Sequence, residues 1–220
     1  MALNKESNGF TFGFAIVLVV VLGIILASLA EGLKPLKEQN VRVKKQIDIL
    51  SAMMDVEEAG INRSNAELEF PKYVNLDDAV VLNNSGDEIG KGKEAFEIDI
   101  KKEYRDKTLE TKDKRFPLFI AKDKTDSTRY IIPVVGKGLW GPIWGYICLK
   151  EDMRTVAGVS FAHKTETPGL GAEINKPFFM DRWKASMISD ASRNFKKYEV
   201  VKDNSGSTDP SKIDGITGGT

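Results

Sequence analysis

The sequence predicts an α+β protein: one N-terminal membrane-spanning helix, then a domain with a central, largely antiparallel sheet and flanking helices. Three observations lead there. Phe10 to Ala30 is a run of 21 residues without a charge. Strand-like runs cluster between Pro117 and Ala162. They lack the regular strand–helix alternation that marks a doubly wound parallel sheet.

At about 1.5 Å per residue, a helix over 10–30 covers roughly the 30 Å hydrocarbon core of a bilayer. A cleaved signal peptide would have a shorter apolar core, roughly 7–15 residues, and a small-residue cleavage site. Ala27-Ser28-Leu29-Ala30 matches such a site only weakly, so the segment reads as a retained anchor. This divides the chain into a tail (1–9), a transmembrane helix (10–30), a juxtamembrane amphipathic helix (31–60) and a domain (61–220). Lys5 is the only basic residue before the span, whereas Lys34, Lys37, Arg42, Lys44 and Lys45 follow it. Charge bias alone therefore puts the domain in the cytoplasm.

After the anchor, Val43, Ile47, Leu50 and Met54 recur at helical spacing within 40–56. That stripe packs on its own domain or on a partner. A short strand is expected at Ala79–Leu82, ended by Asn83-Asn84-Ser85-Gly86. The charge-rich stretch from Phe96 to Arg115 reads as solvated. Strands follow at 117–121, 130–135, 144–149 and 156–162. Phe179 to Phe195 has helical character, and Asn204 to Ser211 is a loop that delivers the final segment.

Composition excludes several functions. With 32 basic and 32 acidic residues the net charge is zero, and no basic stripe marks a nucleic-acid partner. Cys148 is the single cysteine and His163 the single histidine. An internal disulfide, a cysteine-rich zinc site, a Cys-ligated iron–sulfur cluster and a histidine-rich metal site are all out. The chain presents no metal site and no complete catalytic constellation.

Three motifs carry more. Gly136-Lys137-Gly138-Leu139-Trp140-Gly141 matches G-x-G-x-x-G, but Pro142 and a strand follow where a dinucleotide site needs a helix. It reads as a glycine-rich turn. Trp140 and Trp144 stack on a planar ring or, the commoner case, sit in the core. His163-Lys164-Thr165-Glu166-Thr167-Pro168-Gly169-Leu170-Gly171 reads as a surface turn or as a ligand-lining one. In the second case Gly169 and Gly171 bring backbone close to a ligand, with Glu166 and Thr167 as acceptor and hydroxyl at the mouth. The last seven residues, Asp214-Gly215-Ile216-Thr217-Gly218-Gly219-Thr220, read as a flexible tail or as a segment whose last hydroxyl a second macromolecule can reach.

Together the anchor, the segment Asn40 to Leu50, GKGLWGPIWGYICL, HKTETPGLGAEI, the start of the Phe179–Trp183 segment and DGITGGT resemble the C subunit of the Na+-translocating NADH:quinone reductase. That is a bacterial respiratory membrane complex, and the resemblance covers most of the chain. DGITGGT looks like the family's flavinylation motif, in which the final hydroxyl residue is esterified to the phosphate of FMN. The resemblance thus implies covalent FMN on Thr220, with Glu166, Thr167, Gly169, Leu170, Gly171, Thr217, Gly218 and Gly219 around the cofactor. It implies a separate Mg-dependent transferase that uses FAD. It also implies the other subunits of the complex and membrane lipid as partners, and a soluble domain on the periplasmic side of the inner membrane. Electrons would arrive from NADH through other subunits and leave for quinone, coupled to Na+ export. The family continues past its acceptor, so a native tail beyond Thr220 is expected. The G subunit of the related Rnf complex shares E-T-P-G-L-G and the acceptor motif and stays an alternative, as does a membrane-tethered binding module without cofactor. The GKGLWGPIW block favours the quinone-reductase branch.

Overall fold

A computed structural model of the chain describes residues 7–209 and 211–216. It divides into two units, Met1–Val43 and Lys44–Thr220. In the first, helix α1 (Asn8–Ser51) begins, and the Ser7 hydroxyl caps it by accepting the Phe10 N–H at 3.2 Å. Ile16 to Leu22 are consecutive exposed apolar residues, about two helical turns, so no face of the helix is covered by protein. An apolar surface of this kind suits the interior of a membrane. Among the described residues this is the one helix long and apolar enough to cross a membrane.

The second unit starts with the last turns of α1. Gln46, Ile49 and Leu50 are buried there, as is Val43 just before them, whereas Ile47 and Met54 are only half-buried. The predicted stripe holds at Val43 and Leu50 and turns toward Gln46 and Ile49. The helix also ends at Ser51, short of residue 60. Turns replace it: Asp55 accepts the N–H groups of Glu57 and Glu58, and Gly60 takes a positive φ of 68°. A carboxylate that binds nearby backbone N–H groups competes with helix for them.

Six antiparallel strands form the central sheet in the order β2-β1-β3-β4-β5-β6. They are β1 (Val80–Leu82), β2 (Glu88–Lys91), β3 (Phe116–Lys122), β4 (Thr128–Lys137), β5 (Pro142–Leu149) and β6 (Val156–His163). The last four are successive hairpin neighbours, as the middle of the sequence predicted. Alternation along β6 assigns each face a cover. Gly158 and Ser160 meet the end of α1: the Ser160 hydroxyl donates to the Asp48 carbonyl at 2.7 Å, and a Cβ at Gly158 would strike the Ala52 carbonyl. Val159 and Phe161 point the other way, into a cluster with Leu149, Val156, Met180, Trp183 and Ile188.

Helix α2 (Ala66–Tyr73) and the short helices α3 (Lys93–Glu97) and α4 (Ile100–Arg105) complete the first cover. Rings of Phe70, Phe96 and Phe119 pack in a chain, with centroids 5.8 and 6.4 Å apart. The stretch from Phe96 to Arg115 is therefore not simply solvated. Phe96 and Ile98 are buried, and buried Glu103 accepts from Arg115 Nε at 2.9 Å. Lys45 adds a tie by donating to the carbonyls of Phe96 and Ile98.

The predicted helix over 179–195 is the larger departure. Only α5 (Pro177–Met180) and a 3-10 turn at Asp181–Trp183 form, and Ala185 and Arg193 take positive φ. Here tertiary pairing overrides local propensity. Ala185 N–H donates to the Val156 carbonyl and Val156 N–H to that of Ser186, so the chain runs along the start of β6. Phe179 and Trp183 then pack on Phe161, with centroids 6.0 and 5.9 Å away. Beyond it, β7 (Glu199–Val201) and β8 (Lys212–Asp214) pair in parallel across the predicted loop.

Candidate functional site

The two central motifs of the sequence are halves of one structure. Gly138 N–H bonds to the Gly141 carbonyl at 2.7 Å and closes the β4–β5 turn, which is the glycine-rich turn expected there. The loop after β6 clasps that turn. Thr165 Oγ1 donates to the Trp140 carbonyl at 2.7 Å, and Glu166 Oε1 accepts the Trp140 N–H at 2.9 Å. Lys164 N–H adds a bond to the Pro142 carbonyl. Both polar groups of the Trp140 backbone are thus held by side chains 25 and 26 residues away.

Glycines make room for the carboxylate. A Cβ at Gly138 would collide with Glu166 Oε1, and one at Gly171 would stand 2.8 Å from Oε2. A Cβ at Gly141 would likewise collide with the Thr165 hydroxyl. Glu166 is buried, and its own N–H donates to His163 Nδ1 at 3.3 Å. It is a brace between two loops, with its acceptor turned to Trp140.

The outer part of the loop is open. Thr167 is exposed, and its hydroxyl has no hydrogen-bond partner among the described residues. Gly169 takes φ 77° and donates its N–H to Glu173 Oε1 at 2.9 Å. Nothing lies within 4 Å of a Cβ placed there, so this position needs glycine for its backbone and faces free space. Leu170 is half-exposed beside it. Gly169 and Gly171 therefore do different work: one shapes the turn, the other yields volume to Glu166.

Leu139 and Trp140 project from the tip of the β4–β5 turn. Trp140 is 67% exposed, which overturns the core reading for its side chain. A tight turn leaves a side chain at its tip no layer to bury it. Trp144, on β5, is half-buried under Lys101, whose Nζ lies 4.2 Å from the ring centroid.

The final motif begins as a fixed stem. Asp214 Oδ1 accepts the Gly206 N–H at 2.8 Å, and Gly215 N–H donates to the Val201 carbonyl at 2.6 Å. A Cβ at Gly215 would press on Val200 and Val201. Arg182 completes the stem: its Nη1 donates to the carbonyls of Asp214 and Gly215. Sequence reasoning missed Arg182, because nothing in a lone arginine 32 residues upstream marks it as a partner of this stem. Thr217, Gly218, Gly219 and Thr220 lie outside the described residues. Among the described residues no group of His, Cys, Asp or Glu side chains is arranged to hold a metal.

Comparison with known proteins covers the same ground. The family described as the FMN-binding domain matches residues 138–220, from the first clasping glycine to the last residue. The C subunit of the Na+-translocating NADH-quinone reductase of Vibrio parahaemolyticus is 28% identical, over 100% of this chain and 88% of its own length. The crystal structure of the protein of that name from Parabacteroides distasonis superposes with a TM-score of 0.71 at 33% identity, covering 85% of each chain. NqrC of Shewanella oneidensis, at 21% identity and a TM-score of 0.61 over 81% of this chain and 85% of its own, shares the fold.

Proposed function

The chain belongs to the NqrC family, the C subunits of the Na+-translocating NADH-quinone reductases, and from that premise we propose that Thr220 carries FMN through a phosphoester bond. It is an FMN-binding electron-relay subunit of that membrane oxidoreductase. The flavin, when bound, supplies the redox chemistry, and the protein supplies position and electrostatics.

One observation carries the attachment: Asp214 and Gly215, the start of the final motif, are pinned by Gly206, Val201 and Arg182. Five further residues reach at most about 18 Å, so an acceptor at Thr220 stays on a short leash from a fixed point. A tether of that length keeps a cofactor at high effective concentration beside its site. The residues around the clasp suit a flavin: the Thr167 hydroxyl has no partner among the described residues, Gly169 faces open space and Leu170 offers apolar surface. Glu166 and Gly171 would act one step back, by holding the loop that presents these groups. In the sequence the glycine pair Gly218-Gly219, flanked by Thr217 and Thr220, gives Thr220 little steric cover on its N-terminal side, which suits recognition by a modifying enzyme.

Thr220 is a substrate in this maturation. Its hydroxyl oxygen bonds to the FMN phosphorus of FAD while the phosphoanhydride bond breaks and AMP leaves. The hydroxyl proton passes to a base of a separate Mg-dependent transferase. The apolar run of α1 over 10–30 lies in the inner membrane, and the domain lies on the periplasmic side. The basic residues after the span point the other way, but two of them have folded-state roles. Lys44 pairs with Asp48 at 2.9 Å, and Lys45 holds the carbonyls of Phe96 and Ile98. Intact mass after expression with and without the transferase tests the reading. An increment of one FMN phosphoester only in its presence is expected, and an unchanged mass would refute it.

A further inference from the structure

We propose that Arg182, beyond holding the stem, is the residue that binds the phosphate ester of the attached flavin. The inference rests on FMN attachment at Thr220. It starts from a charge without a counter-charge. The Arg182 guanidinium is exposed and has no carboxylate partner among the described residues. The neighbouring Asp181 is taken by Lys184 at 2.7 Å, and Asp214 Oδ1 is taken by the Gly206 N–H. What holds Arg182 is neutral. Nη1 donates to the carbonyls of Asp214 and Gly215, and the guanidinium carbon lies 5.5 and 5.9 Å from the ring centroids of Phe178 and Phe179.

Those contacts orient the side chain and leave donors over. A guanidinium has five N–H groups in a rigid fork. Here the bonds all leave from Nη1, so Nε and Nη2 are unengaged among the described residues. This is the edge geometry that pairs with two oxygens of a phosphate. The stem it grips leads within five residues to the acceptor. A phosphodiester is a permanent anion at neutral pH, and its tether confines it to the neighbourhood of a cation that the fold has pre-oriented. Phe178, half-exposed beneath the guanidinium, limits the water that would otherwise screen the pair.

Two phosphate sources share this chemistry, the finished phosphodiester and the FAD that the transferase presents, and the proposal commits to the first. The test compares the full-length protein with Arg182→Gln and Arg182→Lys, each co-expressed with excess transferase in membranes. Glutamine keeps a donor for the carbonyls and loses the charge, whereas lysine keeps the charge without the fork. Circular dichroism and melting temperature establish that each variant is folded. The readout is the 31P resonance of the attached phosphodiester, native and after denaturation. The wild type should show a native shift displaced from the denatured one, with glutamine abolishing the displacement and lysine retaining part of it. The flavin content of each variant, measured after denaturation, normalises its 31P signal. An identical native 31P shift in wild type and Arg182→Gln overturns the proposal, as does a variant that slows attachment but leaves the shift unchanged. Absence of flavin from the wild type would refute the reading on which the proposal rests.

Discussion

The carboxylate of Glu166 accepts the backbone N–H of Trp140 at 2.9 Å, across the gap between the β6 loop and the β4–β5 turn. Gly138 and Gly171 are glycines because that carboxylate occupies the volume their side chains would need. Two motifs that look independent in the sequence are thereby one device, which holds Thr167, Gly169 and Leu170 in place from behind.

Disrupting this brace should loosen the loop. Glu166→Ala leaves the Trp140 N–H without its partner, and Gly138→Ala forces the carboxylate out of position. Each should cost about 1–3 kcal/mol of stability. Thermal denaturation of the soluble part checks this, with Glu166→Gln the mildest of the three because its amide oxygen can still accept. Unchanged melting in both Glu166→Ala and Gly138→Ala would mean that the clasp contributes nothing.

Gly169 separates backbone need from ligand approach. Valine at φ 77° is strained by about 1–2 kcal/mol, so Gly169→Val should both destabilise the turn and disturb a bound flavin. Asparagine tolerates the left-handed region and adds a side chain into the open space. Gly169→Asn should therefore shift the flavin's absorption spectrum or midpoint potential with covalent attachment and folding retained. If spectrum and potential stay put in the folded asparagine variant, the loop does not line the flavin.

Cys148 is predicted to be chemically silent. It is fully buried in β5, and that burial pushes its thiol pKa up to about 12, so almost no thiolate exists at neutral pH. Maleimide should label the folded protein at pH 8 negligibly and the denatured protein fully. Rapid labelling without denaturant would show that the sheet opens at β5.

A reporter active only in the periplasm, fused after Val201, should give signal, since the flavin-transfer reading needs the domain outside the cytoplasm. A cytoplasm-only signal would restore the topology that the basic residues after the span favour by themselves.

How much of this was legible in the sequence varies with the range of the forces involved. Strands β3 to β6 were readable because short runs of apolar and β-branched residues between turn residues are local signals. The uncharged run in α1 is equally local. The segment after Phe179 misled because its aromatic spacing imitates a helix face. Its conformation is set instead by Phe161 and by pairing at Val156, across the fold. The core reading of Trp140 failed for the opposite reason: an indole argues for burial, but its position at a turn tip exposes it. The partners Glu166–Trp140 and Arg182–Asp214 are separated by 26 and 32 residues, and no spacing rule connects them.

The hydroxyl proposed to bear the flavin is the most direct thing to measure. Thr220→Ala, Thr220→Ser and Thr217→Ala would each be co-expressed with the transferase, denatured, run on a gel and read for flavin fluorescence. Alanine at 220 removes the one side-chain oxygen that can form the ester there, so the fluorescent band should vanish. Serine keeps that oxygen and should retain at least part of the signal. Thr217→Ala, three residues before the acceptor, should at most weaken the band through poorer recognition. A band that survives in Thr220→Ala, or is lost outright only in Thr217→Ala, would contradict attachment at Thr220.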